Sequence, residues 1–248
     1  MGPQKPHLGE SAHLRWLGHA TVVVELDGAR VITDPVLRRR VMHLRRAGDV
    51  VPPGSIDAIL ISHLHYDHLD LPSLARIGID TPIVIPRGGK KTVRGFELVT
   101  EVEPGEELDV AGLTIRVVEA RHEGRRRNLG APVPAVGYVL AGSRSVYFAG
   151  DTGLFDGMRR LSPIDVALLP IWGWGANVGA GHLDPRAAAA ALALLRPHLA
   201  VPIHWGTYHV LGRRDHGRAP ADAFAVAALE AAPEVDVRVL PIGGSLEF

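Results

Sequence analysis

The hydrophobic positions of the chain fall into short β-branched runs separated by turn residues. The predicted strands cover residues 21–26, 30–33, 57–62, 82–86, 113–118, 136–140, 144–149, 164–169, 199–203 and 236–240. The first two flank Asp27-Gly28, a dipeptide typical of a tight hairpin turn because glycine tolerates positive φ. The run at 57–62 is apolar almost throughout, as expected for a strand buried on both faces. The pattern predicts a sheet-rich fold that opens with a β-meander.

Two longer segments have helical patterns. Residues 185–196 follow Asp184 as an N-cap, with Pro185 at the first helical position, and residues 220–231 are rich in alanine. Strands outnumber helices, so we predict an α/β fold in the form of a four-layer αββα sandwich, two mixed β-sheets flanked by helices. No linker-like stretch divides the chain. Residues 13–248 are therefore expected to form a single domain after a loose N-terminal arm at residues 1–12.

Composition narrows the classes of function. The 248 residues are 46% hydrophobic, which is enough for a globular core. The 27 basic and 27 acidic residues give a net charge of zero, so we expect no nucleic-acid partner. No signal peptide or membrane-length apolar run is evident, so we expect a cytoplasmic protein without stable membrane insertion. With no cysteine in the chain, any metal ion must be bound by His, Asp or Glu. The oligomeric state is not indicated by the sequence.

The strongest chemical signal is His63-Leu64-His65-Tyr66-Asp67-His68, directly after the predicted strand at 57–62. In an extended segment His63 and His65 point to the same side, so both can bind one metal ion. Asp67 and His68, on the turn that follows, can bind a second ion. Four ligand-type side chains within six residues would repel one another when protonated, which disfavours a purely structural cluster. The spacing predicts two neighbouring metal ions.

Two later strand ends carry ligand-type residues in similar positions. Asp151 follows the predicted strand at 144–149, and His204 follows the one at 199–203. Taken singly, Asp151 is typical of a turn and His204 of a buried core histidine. Beside the first motif, both are better explained as functional residues.

These motifs resemble the metallo-β-lactamase fold superfamily of binuclear metallohydrolases. The segments that carry the resemblance are WLGHATVVVEL, ITDP, DAILISHLHYDHLD, YFAGDTG, GHLDP and PIHWGTY. They are similar to the branch of N-acylphosphatidylethanolamine-hydrolysing phospholipase D and, more loosely, to the ascorbate-lactone hydrolases. The similarity spans nearly all of residues 14–210.

The resemblance implies a set of seven metal ligands. His63, His65 and His122 would hold the first ion, Asp67, His68 and His204 the second, and Asp151 would bridge both. At His122 the neighbours Arg121 and Glu123 depart from the pattern of the phospholipase-like branch. The implied cofactor is two divalent ions, zinc first, with manganese and iron left open because the same ligands suit all three. The implied nucleophile is a metal-bridging hydroxide, which Asp67 would orient as a catalytic residue while taking the proton of the water from which it forms.

Further residues lie near the implied site. Asp34, in the TDP turn, is expected to hydrogen-bond a ligand histidine, the alternative being a plain Asp-Pro turn. His19 in GHAT is better explained as a buried structural histidine. His182 follows a glycine-rich loop and precedes a helix, where it can face the pocket. The resemblance implies a catalytic role in contact with substrate for it, the alternative being a residue of a capping loop. His209 is expected on the surface.

Two groups of residues have open roles. Trp172 and Trp174 could form an apolar pocket wall or fill the core. The run Arg125–Arg127 could clamp a phosphate, although a solvated loop is more typical, and the same holds for the basic stretch at 38–46.

The sequence predicts an enzyme, a metal-dependent hydrolase that acts on a small-molecule or lipid-like substrate. The first hypothesis is a phosphodiesterase of the phospholipase D-like kind. The alternative is a lactone, ester or amide hydrolase with the same metal site. The phospholipase-like motifs favour the first, whereas the lack of an amphipathic basic arm weakens a bilayer substrate. A nuclease or a non-catalytic metal-binding relative is disfavoured by the zero net charge and by the complete ligand set.

Overall fold

The computed structural model describes residues 12–124, 126, 133–173, 179–212 and 217–248. The strands are β1 His13–Gly18, β2 Thr21–Leu26, β3 Ala29–Thr33, β4 Arg40–Val41, β5 Leu44–Arg46, β6 Ala58–Leu60, β7 Ile83–Pro86, β8 Val99–Val102, β9 Glu107–Val110, β10 Leu113–Glu123, β11 Pro134–Ala141, β12 Ser145–Phe148, β13 Val166–Pro170, β14 Leu199–Ile203, β15 Tyr208–Val210, β16 Asp236–Val237 and β17 Ser245–Glu247. The helices are α1 Leu71–Ile77, α2 Pro185–Leu195 and α3 Ala219–Ala231, with a 3₁₀ helix at Asp156–Leu161. Residues 1–11, nearly all of the predicted arm, lie outside the described residues.

The strands form two seven-stranded mixed sheets and one small sheet. The first has the order β17-β1-β2-β3-β6-β7-β8, with an antiparallel meander β1-β2-β3 followed by parallel strands. The second has the order β16-β14-β13-β12-β11-β10-β9, antiparallel from β9 to β12 and parallel beyond. The small sheet is β15-β5-β4. The predicted hairpin turn is confirmed, because Asp27 has φ +51° and Gly28 φ +82°.

Alternating side chains of the first sheet pack into two apolar clusters on its opposite faces. Val22 and Val24 join Tyr138 of the second sheet in the larger cluster, which continues to α2 and α3. Val23, on the other face of β2, packs in the cluster that contains Leu74 of α1. The order of layers is therefore helix, sheet, sheet and helices, and the predicted four-layer α/β architecture is confirmed. The assignment of 13–248 to one domain stays a prediction.

The bounds of two strands differ from the prediction, because hydrogen-bonded pairing with a neighbouring strand, rather than hydrophobicity, decides where each strand ends. The predicted strand at 113–118 continues as β10 to Glu123, and this extension carries His122. The predicted strand at 236–240 is shorter, since only Asp236 and Val237 pair with β14. Helix α1 was not predicted because seven residues are too few to show a clear helical repeat.

The predicted helix α2 begins as expected. Asp184 is its N-cap, and its carboxylate accepts a hydrogen bond from the backbone N–H of Ala187 at 2.7 Å. The helix ends at Leu195, one residue earlier than predicted, because Arg196 adopts a left-handed conformation with φ +49°. Among the described residues, no helix is both long and apolar enough to cross a bilayer.

Candidate metal centre

The first group of predicted ligands comes from both large sheets. His63 and His65 follow β6 of the first sheet, and His122 lies near the end of β10 of the second. His63 Nε2 is 2.9 Å from His65 Nδ1, which is 3.2 Å from His122 Nε2. Ligand atoms of all three residues lie within 4.8 Å of one another, as binding to one ion requires.

The second group lies beside the first. His68 Nε2 is 3.1 Å from His204 Nε2, and Asp67 Oδ2 is 3.7 Å from the former and 3.9 Å from the latter. His68 and His204 are buried, and Asp67 is partly buried. These three atoms can therefore face a common ion.

Asp151 lies between the two groups. Its Oδ2 atom is 3.9 Å from His63 Nε2 and 3.3 Å from His68 Nε2, and its Oδ1 atom is 3.3 Å from His204 Nε2. Gly150 allows this approach: it has φ +58°, and a Cβ at this position would lie 2.5 Å from the Cβ of Ser62. The structure thus brings all seven sequence-predicted ligands together, with Asp151 in contact with both groups.

A buried carboxylate orients two of these histidines. Asp34 accepts hydrogen bonds from His68 Nδ1 at 2.7 Å and from the Ser62 hydroxyl at 2.5 Å. Because the Ser62 hydroxyl donates to Asp34, its oxygen accepts from His63 Nδ1, at 3.0 Å. The proton of both rings is thus on Nδ1, and both Nε2 lone pairs face the cluster. The hydrogen bond between Asp34 and a ligand histidine was predicted from the sequence. The role of Ser62, which directly precedes the motif, was not.

Backbone carbonyl groups orient two more histidines. His204 Nδ1 donates to Trp172 O at 2.7 Å, and His122 Nδ1 donates to Gly181 O at 3.0 Å. A carbonyl only accepts, so each ring presents its Nε2 lone pair to the cluster. Gly181 has φ +79°, and a Cβ there would lie 2.9 Å from the carbonyl oxygen of Arg121. The glycine therefore lets this loop lie directly against β10.

Burial keeps four of the histidines neutral. It lowers the pKa of His63 well below its ordinary value and also lowers the pKa of His65. It lowers the pKa of His122 to about 4 and that of His204 to about 3. Burial has this effect because it disfavours the charged form. Neutral imidazole is the form that binds metal ions.

The carboxylates behave in the opposite way. Burial alone would raise the pKa values of Asp67 and Asp151, but the neighbouring histidines bring both well below the ordinary range. Burial would lower the pKa of His68, but Asp151 and Asp67 outweigh it and raise that pKa well above its ordinary value. Negative charge in the cluster thus attracts a cation.

A metal ion fits these residues better than a network of hydrogen bonds does. Asp151 Oδ1 is buried and has no hydrogen-bond partner among the described residues. The Nε2 atoms of His68 and His204 face each other while each Nδ1–H is used elsewhere, so a proton or a metal ion must lie between them. Imidazole nitrogen and carboxylate oxygen suit zinc and similar ions.

Comparison with known proteins agrees with this chemistry. The family model described as "Beta-lactamase superfamily domain" matches residues 29–205, well over half of the chain. The chain belongs to the metallo-β-lactamase superfamily. A metal-dependent hydrolase of Methanopyrus kandleri is 36% identical over 209 residues, which cover 79% of this chain and 84% of that protein. This superfamily member is accordingly an enzyme, a metal-dependent hydrolase.

Two further proteins are similar to this chain over most of its length. N-acyl-phosphatidylethanolamine-hydrolyzing phospholipase D 1 of Caenorhabditis elegans is 32% identical over 239 residues, covering 84% of this chain and 67% of that protein. The structure of Igni18, described as a novel metallo hydrolase of Ignicoccus hospitalis, matches with a TM-score of 0.72 and 27% identity. That match covers 96% of this chain and 99% of the other. The predicted family is confirmed.

His182 lies at the rim of the site of this superfamily member. Its Nε2 atom is 3.5 Å from Asp151 Oδ2, and its ring centroid is 4.6 Å from that of His122. The hydrogen bond to Asp151 raises the pKa of His182. With 27% of its side chain exposed, His182 faces both the cluster and solvent. It is placed to meet a substrate, although its catalytic role stays a prediction.

Arg126 contacts the loop that carries the first motif. Its guanidinium group donates to the carbonyl groups of Leu64 and Leu69, at 3.3 Å and 2.7 Å, and lies 4.0 Å from the centre of the Tyr66 ring. It therefore stabilises the loop that carries the first motif. This role was not predicted from the sequence. The neighbouring arginines 125 and 127 lie outside the described residues.

The other residues with open roles have mixed outcomes. Trp172 is partly buried and packs against the main apolar cluster, and Trp174 lies outside the described residues. His209 is partly buried on β15 rather than fully on the surface. His19 is buried, as predicted, but its Nε2 atom lies 3.1 Å from Asp67 Oδ2. It therefore reaches the cluster.

Replacing Asp34 by asparagine tests the orientation of His68. Asp34 Oδ1 accepts from the backbone N–H of Ser62, and its Oδ2 atom accepts from the Ser62 hydroxyl and from His68 Nδ1. If the amide oxygen keeps the bond to the backbone N–H, the NH₂ group faces the hydroxyl and His68 Nδ1. We expect His68 to shift its proton to Nε2 and the affinity for metal to fall roughly 10–100-fold, as is usual when an outer hydrogen-bond partner is lost. Chelator competition measures this, with the exposed Asp49→Asn as control. Unchanged affinity in a folded Asp34→Asn variant would show that Asp34 does not orient a ligand.

Proposed function

We propose that this metal-dependent hydrolase is a binuclear phosphodiesterase of the phospholipase D-like kind, with zinc as the favoured ion. The observation that carries the proposal is the pair of three-residue groups on either side of Asp151. In this assignment His63, His65 and His122 hold one ion, and Asp67, His68 and His204 hold the other. Seven ligands exceed what a single tetrahedral site uses.

Different residues of the chain would have different roles in the reaction. When bound, two divalent ions supply hydroxide at neutral pH and stabilise negative charge on a substrate oxygen. Asp67 would orient the attacking water and accept its proton, since its carboxylate lies beside His68 and His204 in the second group of ligands. His182, at the rim, is placed to donate a proton to the leaving alcohol oxygen as the bond between phosphorus and that oxygen breaks. No serine or cysteine nucleophile is needed.

The substrate class rests on similarity. The C. elegans relative is named as a phospholipase D, and two-metal sites suit the in-line displacement at a phosphodiester. The alternative of a lactone, ester or amide uses the same metal ligands, and the bonds of Arg126 to backbone carbonyl groups lend no support to the phosphate clamp considered from sequence. We therefore keep a carbon-ester or amide hydrolase as the second candidate.

Metal stoichiometry tests the binuclear site. We expect up to two transition-metal ions per chain by elemental analysis after reconstitution with zinc. Asp151→Ala should loosen both ions and remove activity, because the carboxylate contacts both groups of ligands. Asp165→Ala, which removes a carboxylate that bonds Ser145 instead, is the control. A wild-type maximum of one ion, or two firmly bound ions in Asp151→Ala, would contradict the assignment.

A substrate panel tests the reaction class. Zinc-loaded protein should hydrolyse bis(p-nitrophenyl) phosphate faster than it hydrolyses lactones, p-nitrophenyl esters or a β-lactam, measured as kcat/KM for each. Turnover of lactones or esters without turnover of the phosphodiester would favour the second candidate. Asp151→Ala, assayed in parallel, shows how much of each rate depends on the metal centre.

His182→Ala separates substrate contact from metal binding. We expect kcat to fall roughly 10²–10⁴-fold, as for loss of a general acid or base, while the metal content stays unchanged. His65→Ala, which removes a proposed ligand, should lose metal and activity together. Loss of an ion from His182→Ala would make His182 a ligand, and unchanged kinetics on every hydrolysed substrate would leave it a structural residue.

A further inference from the structure

His19 contacts the group of residues assigned to the second ion. Its Nε2 atom is 3.1 Å from Asp67 Oδ2, and its ring lies against that of His204, with centroids 3.9 Å apart. One ligand-type atom from each of His19, Asp67, His68 and His204 lies within 4.8 Å of the others. The sequence resemblance leaves His19 out of the ligand set, so this contact needs a separate explanation.

The backbone of His19 is fixed relative to that of His204. Its N–H donates to Thr207 Oγ1 at 2.6 Å, and its carbonyl oxygen accepts from Trp16 Nε1 at 2.8 Å and from the N–H of His204 at 2.9 Å. His19 itself has φ +54°, a conformation in which histidine is more frequent than most residues. These hydrogen bonds therefore fix the backbone position from which the imidazole of His19 reaches the cluster.

The hydrogen bond between His19 and Asp67 has one direction. An ionised carboxylate only accepts, so His19 Nε2–H is the donor. The accepting atom, Asp67 Oδ2, is also the one that lies 3.7 Å from His68 Nε2 and 3.9 Å from His204 Nε2. The donor and the two ligand nitrogens thus share a single carboxylate oxygen, and the hydrogen bond from His19 limits how that oxygen can rotate.

We propose that His19 is a positioning residue that holds the Asp67 carboxylate in its metal-binding orientation. The inference rests on the proposed role of Asp67 as a ligand of the second ion. A direct ligand role for His19 fits less well, because the nitrogen that donates to Asp67 has no lone pair for a metal ion. His19 thus does for a carboxylate ligand what Asp34 does for two histidines.

Two substitutions of similar size separate the hydrogen bond from packing. His19→Leu removes the donor, whereas His19→Gln keeps an N–H group at the end of the side chain. We expect His19→Leu to weaken binding of one zinc ion roughly 10–100-fold in chelator competition, the range typical for an outer hydrogen-bond partner. We expect His19→Gln to bind zinc with an affinity close to that of the wild type, and to recover most of the kcat that His19→Leu loses.

Two further variants control for the folding of the chain around His19. His19→Asn suits a positive φ, but its amide is too short to reach Asp67, so it should lose zinc affinity as His19→Leu does even if the leucine variant fails to fold. Thr207→Val removes one of the three backbone hydrogen bonds of His19 and keeps the imidazole as a donor. It should lower the thermal midpoint and weaken zinc binding less than His19→Leu does.

The outcomes distinguish this inference from the proposed function. Equal losses of zinc affinity in His19→Gln and His19→Leu would make His19 a direct ligand, and no loss in His19→Leu or His19→Asn would make it structural; either result overturns the inference. A wild-type protein that binds no zinc would overturn the proposed metal centre and the inference together. Failure of the phosphodiester assay would affect only the substrate class, because zinc affinity is measured without substrate.

Discussion

The structure depends on the burial of several histidines and aspartates side by side, in a space from which water is largely excluded. His63, His68, His204 and Asp151 are all buried, and their lone pairs and negative charge face one another. Burying such groups costs free energy unless a positive charge lies among them. The deprotonated carboxylates and the neutral imidazoles of His63 and His204 are what a metal ion requires, so its binding energy would also stabilise the fold.

The fold meets this constraint by bringing strand ends together. His63 follows β6 of the first sheet, whereas Asp151 and His204 follow the parallel strands β12 and β14 of the second. Each ligand thus leaves a rigid, buried strand, and only the last few residues need special conformations. Hydrogen bonds then set the ring orientations, from the Asp34 carboxylate on one side and from backbone carbonyl groups on the other. Rigid strands and outer hydrogen bonds together hold the ligands in place before a metal ion binds.

Local features could be predicted from the residues themselves, whereas contacts between distant residues were predicted only where the family resemblance implied them. Short runs of β-branched residues predicted most strands, and the His63–His68 motif predicted the first ligands because its geometry is set within six residues. The link from Ser62 to Asp34 joins residues 28 positions apart, and the bond from His19 to Asp67 spans 48. Such pairs depend on the order of strands in the sheet. The contacts of Arg126 could not be predicted for the same reason, since its partners Leu64 and Leu69 are about 60 residues away.

The charge of the site also favours a cation at its centre. Burial raises the pKa of Asp34, whereas the neighbouring histidines, despite burial, bring the pKa values of Asp67 and Asp151 well below the ordinary range. The negative charge of the centre therefore lies on the two carboxylates of the proposed ligand set. Despite the burial of His68, these carboxylates raise its pKa, so a proton on this ring offsets part of that charge when no metal ion is bound. Because uncompensated buried charge is costly, a divalent ion that binds His68 would take the place of this proton, and metal binding would release it.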